Sequence, residues 1–165
     1  MTIRPAAASE LEAVYRMGYD VWGERLGLDA YLAACRASPK YAAGAWWVSA
    51  GGDGVPLSSL LAHEILLPSG RPAVGLGSIA TPPALRGRGH ASSLIAGFLR
   101  AREESHGTEV FFLFSDIAPA FYERFGFAAL GPCPGKPGSI LMARANRKRL
   151  DGLLSDPRFA APDYF

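Results

Sequence analysis

The stretch ATPPALRGRGHASSLI, residues 80–95, joins a strand-like run to a helix-like run and has two arginines and two glycines in four residues. Gly87 and Gly89 permit positive φ angles and leave no Cβ in the way of a close ligand. Successive amides in such a turn form a concave anion site, and the first free amides of the following helix point the same way. Arg86 and Arg88 add charge-assisted hydrogen bonds to phosphate. The stretch predicts a pyrophosphate site, with an exposed turn carrying two solvated arginines as the alternative.

Two common phosphate loops do not fit this junction. A Walker loop ends in Gly-Lys-Ser/Thr, which is missing here. A dinucleotide fingerprint needs three glycines after a parallel sheet. The runs before the junction instead predict an antiparallel meander, because they are strand-like and joined by the short turns GGDG and PSGRP. These runs are GAWWVSA, PLSSLLAHEILL and AVGLGSIA.

The chain around the meander gives a coarse order of elements. An amphipathic helix at residues 91–104 and the buried-strand run EVFFLFS complete a right-handed βαβ unit. A helix at residues 118–125, with Ser115 or Asp116 as N-cap, precedes the closing strands FAALG and SILMARA. At the other end, a short strand at residues 2–4 precedes a helix that starts near Glu10. Ser9 and Glu12 have the capping-box spacing for that helix, and Asp29 is the cap expected for a second one.

Two motifs in this order resemble those of a known family. RGRGHA, at residues 86–91, matches the Arg/Gln-x-x-Gly-x-Gly/Ala signature of the GNAT superfamily of N-acetyltransferases. APAFYERFGF, at residues 118–127, resembles the family's second motif, a helix with Phe-Tyr and a closing Gly-Phe. The order of elements is similar from about residue 3 to residue 143, which is most of the chain. The resemblance implies one domain at residues 1–145, with residues 146–165 as a tail packed on it.

The resemblance implies a fold and a cosubstrate. The fold is α/β (α+β), with a mixed, mostly antiparallel central sheet, a βαβ unit and flanking helices. The strands AVGLGSIA and EVFFLFS would splay apart. The cosubstrate is acetyl-CoA, with its pyrophosphate on the glycine-rich loop and its pantetheine arm along the strand before it. The implied binding residues are Ile79, Ala80, Thr81, Arg86, Gly87, Arg88, Gly89, His90, Ala91 and Ser115. Ser115 either bonds the pantetheine or caps the helix.

The implied reaction is direct attack of a primary amine on the acetyl thioester, assisted by holding both reactants in one cleft. Tyr122 falls on the family's tyrosine, whose hydroxyl lies near the coenzyme sulfur, and is assigned as general acid. Helical spacing turns Tyr122 about 100° from the neighbouring Phe121, which fits a separate task. A strand amide near Ser78 or Ile79 would hold the oxyanion.

The general base has several candidates. Some family members carry a glutamate where this chain has Ala73, so a direct carboxylate base is in doubt. Glu64 and His63 are alternatives, and strand alternation puts them on opposite faces. His63 has the better unperturbed pKa for the task, and Ser78 is a third option, as the residue that orients a water.

The sequence says least about the acceptor, the molecule that receives the acetyl group. Asp20, Glu24 and Asp116 are acidic residues that could attract an ammonium, although the sequence favours a surface charge for each of them. The C-terminal stretch from residue 144 onward has a basic run, which predicts a solvated face or a contact with an acidic partner. That run consists of Arg144, Arg147, Lys148 and Arg149.

Composition limits the kinds of partner and the cellular location that we expect for the protein. The 165 residues carry a net charge of +2 from 17 basic and 15 acidic side chains, so neither nucleic acid nor membrane is an expected partner. We see no secretory signal, and Cys35 and Cys133 are expected as free thiols in a cytoplasmic protein without a metal site. The expected partner is a small-molecule or peptide amine, and the protein a monomer or homodimer. The alternatives are a CoA-binding sensor or regulatory module without catalysis, and a module that binds nucleic-acid phosphate.

Overall fold

The computed structural model describes residues 1–23, 25–133, 136–157 and 159. The strands in these ranges are β1 (Thr2–Pro5), β2 (Ala45–Ala50), β3 (Pro56–Leu66), β4 (Pro72–Ala80), β5 (Phe111–Ser115), β6 (Ala128–Pro132) and β7 (Ile140–Arg144). The helices are α1 (Leu11–Arg16), α2 (Tyr19–Trp22), α3 (Leu28–Ala37), α4 (Pro39–Ala43), α5 (His90–His106), α6 (Ala120–Glu123) and α7 (Arg147–Leu154). Short 3₁₀ turns cover Ala8–Glu10 and Pro83–Leu85.

The seven described strands form one mixed sheet in the order β1-β2-β3-β4-β5-β7-β6. β4 and β5 are parallel and are connected through α5, which confirms the predicted βαβ unit. The pairs β1/β2, β2/β3, β5/β7 and β6/β7 are antiparallel. The register of the parallel pair runs from Val74↔Phe111 to Leu76↔Leu113, so it is confined to the first half of β4. The predicted fold class, a mostly antiparallel sheet with flanking helices, is confirmed.

The chain divides into two compact units, and the first consists of Met1–Ala62 and Ser78–Ala101. One buried cluster of this unit contains the aromatic rings of Tyr15, Tyr31 and Trp46. The Tyr31 hydroxyl donates to the backbone oxygen of Tyr15 at 3.2 Å, so a polar group inside this cluster is satisfied. The residues of this cluster are Val14, Tyr15, Tyr31, Leu32, Cys35, Trp46, Val48 and Leu61.

The second unit consists of His63–Gly77 and Arg102–Phe165. Its core comprises Leu67, Ala73, Val110, Phe112, Leu141 and Ala143. Leu150 and Leu153 of α7 pack against this core, as does Phe159, whose ring stacks on that of Phe112 at 6.2 Å. The C-terminal segment therefore adds apolar side chains to the core of this unit. The rest of the apolar C-terminal stretch, from residue 160 onward, lies outside the described residues.

The predicted capping box of Ser9 and Glu12 is wrong. The chain already turns at Ala8–Glu10, so the glutamate that bonds back to the N-cap amide is Glu10 and the N-cap is Ala7, each two residues before the predicted position. There the Ala7 amide donates to the Glu10 carboxylate at 2.7 Å. Glu12 instead accepts hydrogen bonds from Arg16 and Arg36, each at 3.0 Å.

Two other predicted caps also differ. Asp29 lies in the first turn of α3, whose N-cap is Gly27. Neither Ser115 nor Asp116 caps α6, because Pro119 occupies the N-cap position and has no side-chain donor or acceptor. A proline fits there because its missing N–H is one that a helix start leaves unpaired in any case.

Candidate active site

The loop at residues 86–89, here called the RGRG loop, is exposed along its whole length. Gly87 and Gly89 have φ angles of 75° and 82°, in the left-handed region that side chains disfavour. A Cβ built on either glycine would have no described atom within 4 Å. Conformation, and not crowding, is therefore what requires glycine here, and the space beside the backbone is open to a ligand.

Helix α5 begins directly after this loop. The Gly89 carbonyl accepts the first helical hydrogen bond from the Ser93 amide at 2.9 Å. The amides of His90 and Ala91 belong to the first turn, where no carbonyl four residues back is available. The positive end of the helix dipole adds to their attraction for an anion. The junction thus has free amides at a helix N-terminus, and the anion site that the sequence places here stays a prediction.

A chain of hydrogen bonds fixes the RGRG loop to the end of β4. Arg86 Nε donates to the Thr81 backbone oxygen at 3.0 Å, and Arg86 Nη2 lies 2.8 Å from the Asp20 carboxylate. The Thr81 hydroxyl donates to Ser58 Oγ at 2.9 Å, and Ser58 Oγ donates to the Ala80 backbone oxygen at 2.8 Å. Ser58 is fully buried and its bond to the Ala80 carbonyl is shielded from water, whereas the two bonds made by Arg86 are exposed.

Sequence reasoning missed Ser58 and assigned Asp20 differently. Ser58 is a polar residue inside a strand that reads as apolar, and no spacing rule connects it with Thr81. The sequence offers Asp20 as a residue that attracts the acceptor's ammonium, whereas in the structure its carboxylate is paired with Arg86. Glu24, the neighbouring candidate, lies outside the described residues.

Ser78, near the end of β4, has a φ of 46°. A non-glycine residue in this region costs about 1–2 kcal/mol. Such strain is a reason to look for function at the position. The conformation interrupts the regular alternation of the strand just before Ile79, which is only half-buried. The backbone at Ser78 therefore departs from ordinary β-strand geometry. Such a departure is needed if an amide here is to point at a ligand and not at a neighbouring strand.

Tyr122 lies in α6 of the second unit and is 8% exposed. Its ring makes edge contacts with Phe121 at 4.9 Å and with Phe127 at 6.3 Å. Burial, assisted by the negative charge of Asp116, raises the pKa of the Tyr122 hydroxyl to about 12. The hydroxyl therefore keeps its proton at neutral pH, which is the form that a proton donor needs.

Ser115 and Asp116 shape the turn before α6. The Ser115 hydroxyl donates to the Ile117 backbone oxygen at 2.8 Å, so it closes a local turn. The Asp116 carboxylate accepts from Lys136 Nζ at 2.7 Å and from the Ser139 hydroxyl. Both acidic candidates that the structure describes, Asp20 and Asp116, thus have protein partners.

The base candidates on β3 lie on opposite faces, as strand alternation predicts. His63 is 8% exposed, whereas the Glu64 side chain is 68% exposed. The Glu64 carboxylate pairs with Arg102 at 2.8 Å. Ala73, which the family resemblance places where some members carry a glutamate, is fully buried.

Comparison with known proteins decides the family. The sequence model of the acetyltransferase (GNAT) domain matches residues 2–130, more than three quarters of the chain. The chain belongs to the GNAT acetyltransferase family. No curated protein matches this GNAT chain closely enough to count as a relative.

Several solved structures share the fold of this GNAT chain. A histone acetyltransferase HPA2 and related acetyltransferase from Corynebacterium glutamicum has a TM-score of 0.66 at 18% identity, over 87% of this chain and 95% of its own. A GNAT family acetyltransferase from Brucella melitensis, in complex with acetyl-CoA, has a TM-score of 0.61 at 21% identity, over 88% and 87%. A spermidine N-acetyltransferase chimera of Vibrio cholerae and hSSAT has a TM-score of 0.67 at 15% identity, over 92% and 99%.

The residues predicted for the GNAT site are distributed over both units. The first unit brings together Ser78, Ile79, Ala80, Thr81, Arg86, Gly87, Arg88, Gly89, His90 and Ala91. The second unit holds Tyr122, Ser115, His63 and Glu64. Among the described residues no group of three or more histidine, cysteine or acidic side chains is placed to hold a metal ion. Within the same residues, no helix has the length and apolarity to cross a membrane.

Proposed function

We propose that this GNAT chain transfers the acetyl group of acetyl-CoA to a primary amine. The observation that carries the proposal is the exposed RGRG loop, with two left-handed glycines that open directly into the N-terminus of α5. Such a junction suits a pyrophosphate, because amides, the helix dipole and two arginines all favour negative charge there. The Brucella melitensis relative, solved with acetyl-CoA, supports this choice of anion.

Different residues of the RGRG loop and of β4 are assigned to different parts of acetyl-CoA. We assign the pyrophosphate to the amides of Gly87, Gly89, His90 and Ala91, with charge from Arg86 and Arg88. The pantetheine arm is assigned to the backbone of Ile79, Ala80 and Thr81. The buried hydroxyl of Ser58 supports that assignment, since it fixes the Ala80 carbonyl and the Thr81 side chain from behind. Ser115 remains a candidate for the same arm through its remaining capacity to accept a hydrogen bond.

The transfer forms one bond and breaks another. The amine nitrogen attacks the thioester carbonyl carbon, the C–S bond breaks, and the sulfur takes a proton from the Tyr122 hydroxyl. The proton lost by the amine goes to a base, for which Glu64, His63 and a water oriented by Ser78 are the candidates. An ordinary thiol has a pKa near 8.5, so a Tyr122 hydroxyl with a pKa of about 12 gives up its proton reluctantly. We therefore expect its contribution at the low end of general acid catalysis, about 100-fold.

The acceptor class is a primary amine on a small molecule or a peptide. Two structural neighbours are named for amine substrates, spermidine and an aminoglycoside, and this supports the class without selecting a member. The paired state of Asp20 and Asp116 makes neither of them a ready partner for a second cation.

One observation favours a second function, a CoA-binding sensor or regulatory module without catalysis. Ala73 stands where the family resemblance places a glutamate in some members, and it is fully buried. No side chain at this position can therefore take the proton of an amine. The retained tyrosine opposes this alternative.

Titration calorimetry with acetyl-CoA, with ADP as control, tests binding, and thiol release with a panel of primary amines tests transfer. We expect acetyl-CoA to bind and Tyr122→Phe to reduce thiol release about 100-fold with little change in affinity. Tyr31→Phe is the matched control, since Tyr31 is another buried tyrosine, 5% exposed, and carries no proposed catalytic role. Binding without release for any amine would favour the sensor, and absence of binding would overturn both functions.

A further inference from the structure

A pocket of about 480 Å³ lies within the second unit, beside α7. Side chains of the β3–β4 turn, of the chain just before β5 and of α7 surround it. Its lining consists of Leu67, Ser69, Arg71, Val110, Asn146, Lys148, Arg149, Gly152, Leu153 and Asp156. The volume falls in the range of pockets that hold small molecules, about 300–1,000 Å³.

The pocket combines an apolar floor with a basic rim. Leu67 and Val110 are 6% and 7% exposed, and both belong to the core of the unit, against which Leu153 packs. Arg71 and Lys148 are exposed, and Arg149 is half-buried. The lining contains these three cations and one carboxylate, that of Asp156. The lining thus has an excess of positive charge around an apolar surface.

Glu109 positions two of the three cations. Its carboxylate accepts a hydrogen bond from Arg149 Nη2 and lies 3.9 Å from Arg71 Nη1. A single carboxylate shared by two guanidinium groups cannot satisfy all their donors, since each guanidinium carries five N–H groups. Lys148 forms no ion pair with any residue in the described ranges. Its ammonium is therefore the charge most available to a ligand.

The pocket is separate from the proposed transfer site. The GNAT sequence model ends at residue 130, so α7 and the loop before it lie outside the matched region. Every lining residue belongs to the second unit, whereas the RGRG loop belongs to the first. None of the residues assigned to acetyl-CoA or to the transfer reaction lines the pocket.

We infer that this pocket binds a small organic anion, a phosphate monoester or carboxylate attached to one compact apolar group. Guanidinium and ammonium groups at the rim suit the charged end, because they make charge-assisted hydrogen bonds to phosphate and carboxylate oxygens. Leu67, Val110 and Leu153 suit the apolar end, since covering them with an apolar group removes its surface from water. A ligand with only one of these ends leaves half of the lining unused.

Phenyl phosphate is the probe, with inorganic phosphate and phenol as its two halves, and titration calorimetry on the full chain is the measurement. We expect phenyl phosphate to bind at millimolar or lower concentration and both halves to bind more weakly. Lys148→Gln should weaken phenyl phosphate about tenfold, the loss expected for one charge-assisted hydrogen bond. Lys148 is exposed, so this variant leaves the fold intact, which circular dichroism verifies.

Two control variants separate this site from other sources of binding. Arg147→Gln removes the same charge from the same helix, but Arg147 is 95% exposed and does not line the pocket. The affinity of the Arg147→Gln variant for phenyl phosphate should differ less than about twofold from that of the parent chain. Arg88→Gln removes a charge from the RGRG loop and should lower only the phenyl phosphate binding that occurs at that loop, so Lys148→Gln should cause the same loss with or without Arg88→Gln.

Four results would overturn the inference. They are no binding of phenyl phosphate, equal binding of inorganic phosphate, equal losses in the Lys148 and Arg147 variants, and loss of binding in Arg88→Gln alone. Because the probe contains no thioester and the readout is not activity, none of these results depends on whether acetyl transfer occurs.

Discussion

Asp20 holds Arg86 by an ion pair at 2.8 Å, and so connects helix α2 to the RGRG loop. The two carboxylate oxygens approach the same nitrogen of the guanidinium group, Nη2, while Nε is occupied by the Thr81 carbonyl. The arginine that the family resemblance assigns to a pyrophosphate is thus partly neutralised by the protein itself. An incoming anion must share this guanidinium with Asp20 or displace the carboxylate.

Asp20→Asn should therefore tighten the binding of acetyl-CoA. The variant removes a competing negative charge and leaves the hydrogen bond from Arg86 to Thr81 in place. Exposed ion pairs are worth about 0.2–1 kcal/mol, so we expect affinity to rise by up to about fivefold at low salt, and the gain to shrink as salt screens the charges. Calorimetric titration at two salt concentrations measures both effects.

Asp29→Asn is the control for this change, because it removes an exposed carboxylate from the same unit without touching Arg86. Its affinity for acetyl-CoA should equal that of the parent chain. If Asp20→Asn binds acetyl-CoA more weakly than Asp29→Asn does, Asp20 orients the arginine and does not compete with the ligand.

Gly89→Ala should lower both stability and acetyl-CoA affinity. Gly89 has a φ of 82°, where an alanine is strained by about 1 kcal/mol. The new methyl group also enters the open space that we assign to the pyrophosphate. Gly54→Ala is a closely matched control, since Gly54 also has a φ of 82° and open space at its Cβ position, but lies outside the RGRG loop. Thermal unfolding should show similar losses in the two variants, while calorimetry should show weaker binding in Gly89→Ala only. Equal affinities would contradict the pyrophosphate assignment.

Ser78→Gly should stabilise the protein. Replacing a side chain at a φ of 46° by glycine relieves strain, which we expect to raise the free energy of unfolding by about 0.5–1 kcal/mol. Chemical denaturation measures this change. Ser78→Ala keeps the backbone strain and removes the hydroxyl, so the pair of variants separates two roles in catalysis. If both lose thiol release, the hydroxyl orients a water. If both retain it, Ser78 acts only through its backbone.

Glu10→Gln should lower the free energy of unfolding at neutral pH, and should remove part of the loss of stability that the parent chain shows at acid pH. The Arg4 guanidinium, followed by the Ala7 amide, lowers the pKa of Glu10 to about 2. Because the ionised form is the one favoured in the folded chain, Glu10 stabilises the fold above its ordinary pKa of about 4.5. That stabilisation is lost as the pH falls toward 2. We expect a cost of about 1–2 kcal/mol at pH 7, which disappears at pH 2. Denaturant unfolding across this range measures it.

Glu12→Gln provides the comparison, since Glu12 also pairs with arginines but its side chain is 50% exposed. Its effect at pH 7 should stay below about 0.5 kcal/mol. Equal costs for Glu10→Gln and Glu12→Gln would show that the bond between Glu10 and the Ala7 amide adds nothing to the ion pair with Arg4.

The sequence predicted the elements whose signals are local and strong. The apolar runs of β3, β4 and β5 and the amphipathic repeat of α5 each extend over several residues, and the structure confirms these elements. The left-handed glycines of the RGRG loop were also expected, because glycine is the residue that such φ angles favour. Cap positions failed where the chain started to turn earlier than the pattern indicated, as at Ala8–Glu10.

The remaining features depend on contacts between residues far apart in the chain. Ser58 meets Ala80 across 22 positions, and Asp20 meets Arg86 across 66. Neither pair has a spacing rule that a sequence alone reveals. The pocket beside α7 likewise needs three separated segments, although two of its basic residues, Lys148 and Arg149, belong to the basic run that the sequence shows. The proposed catalytic roles of Tyr122, Glu64 and Ser78 stay predictions until kinetics test them.

Each of the two compact units is assembled from two separate lengths of chain, and this bears on how the protein is made. During synthesis, residues 1–62 have no complete partner until residues 78–101 have followed, and residues 63–77 are produced in between. Incomplete cores expose apolar surface that favours aggregation. For the same reason no single cut in the chain leaves both units whole. A cut after Ala62 divides the first unit, and a cut after Ala101 divides the second. Expression of fragments is therefore expected to yield at most one intact unit per cut.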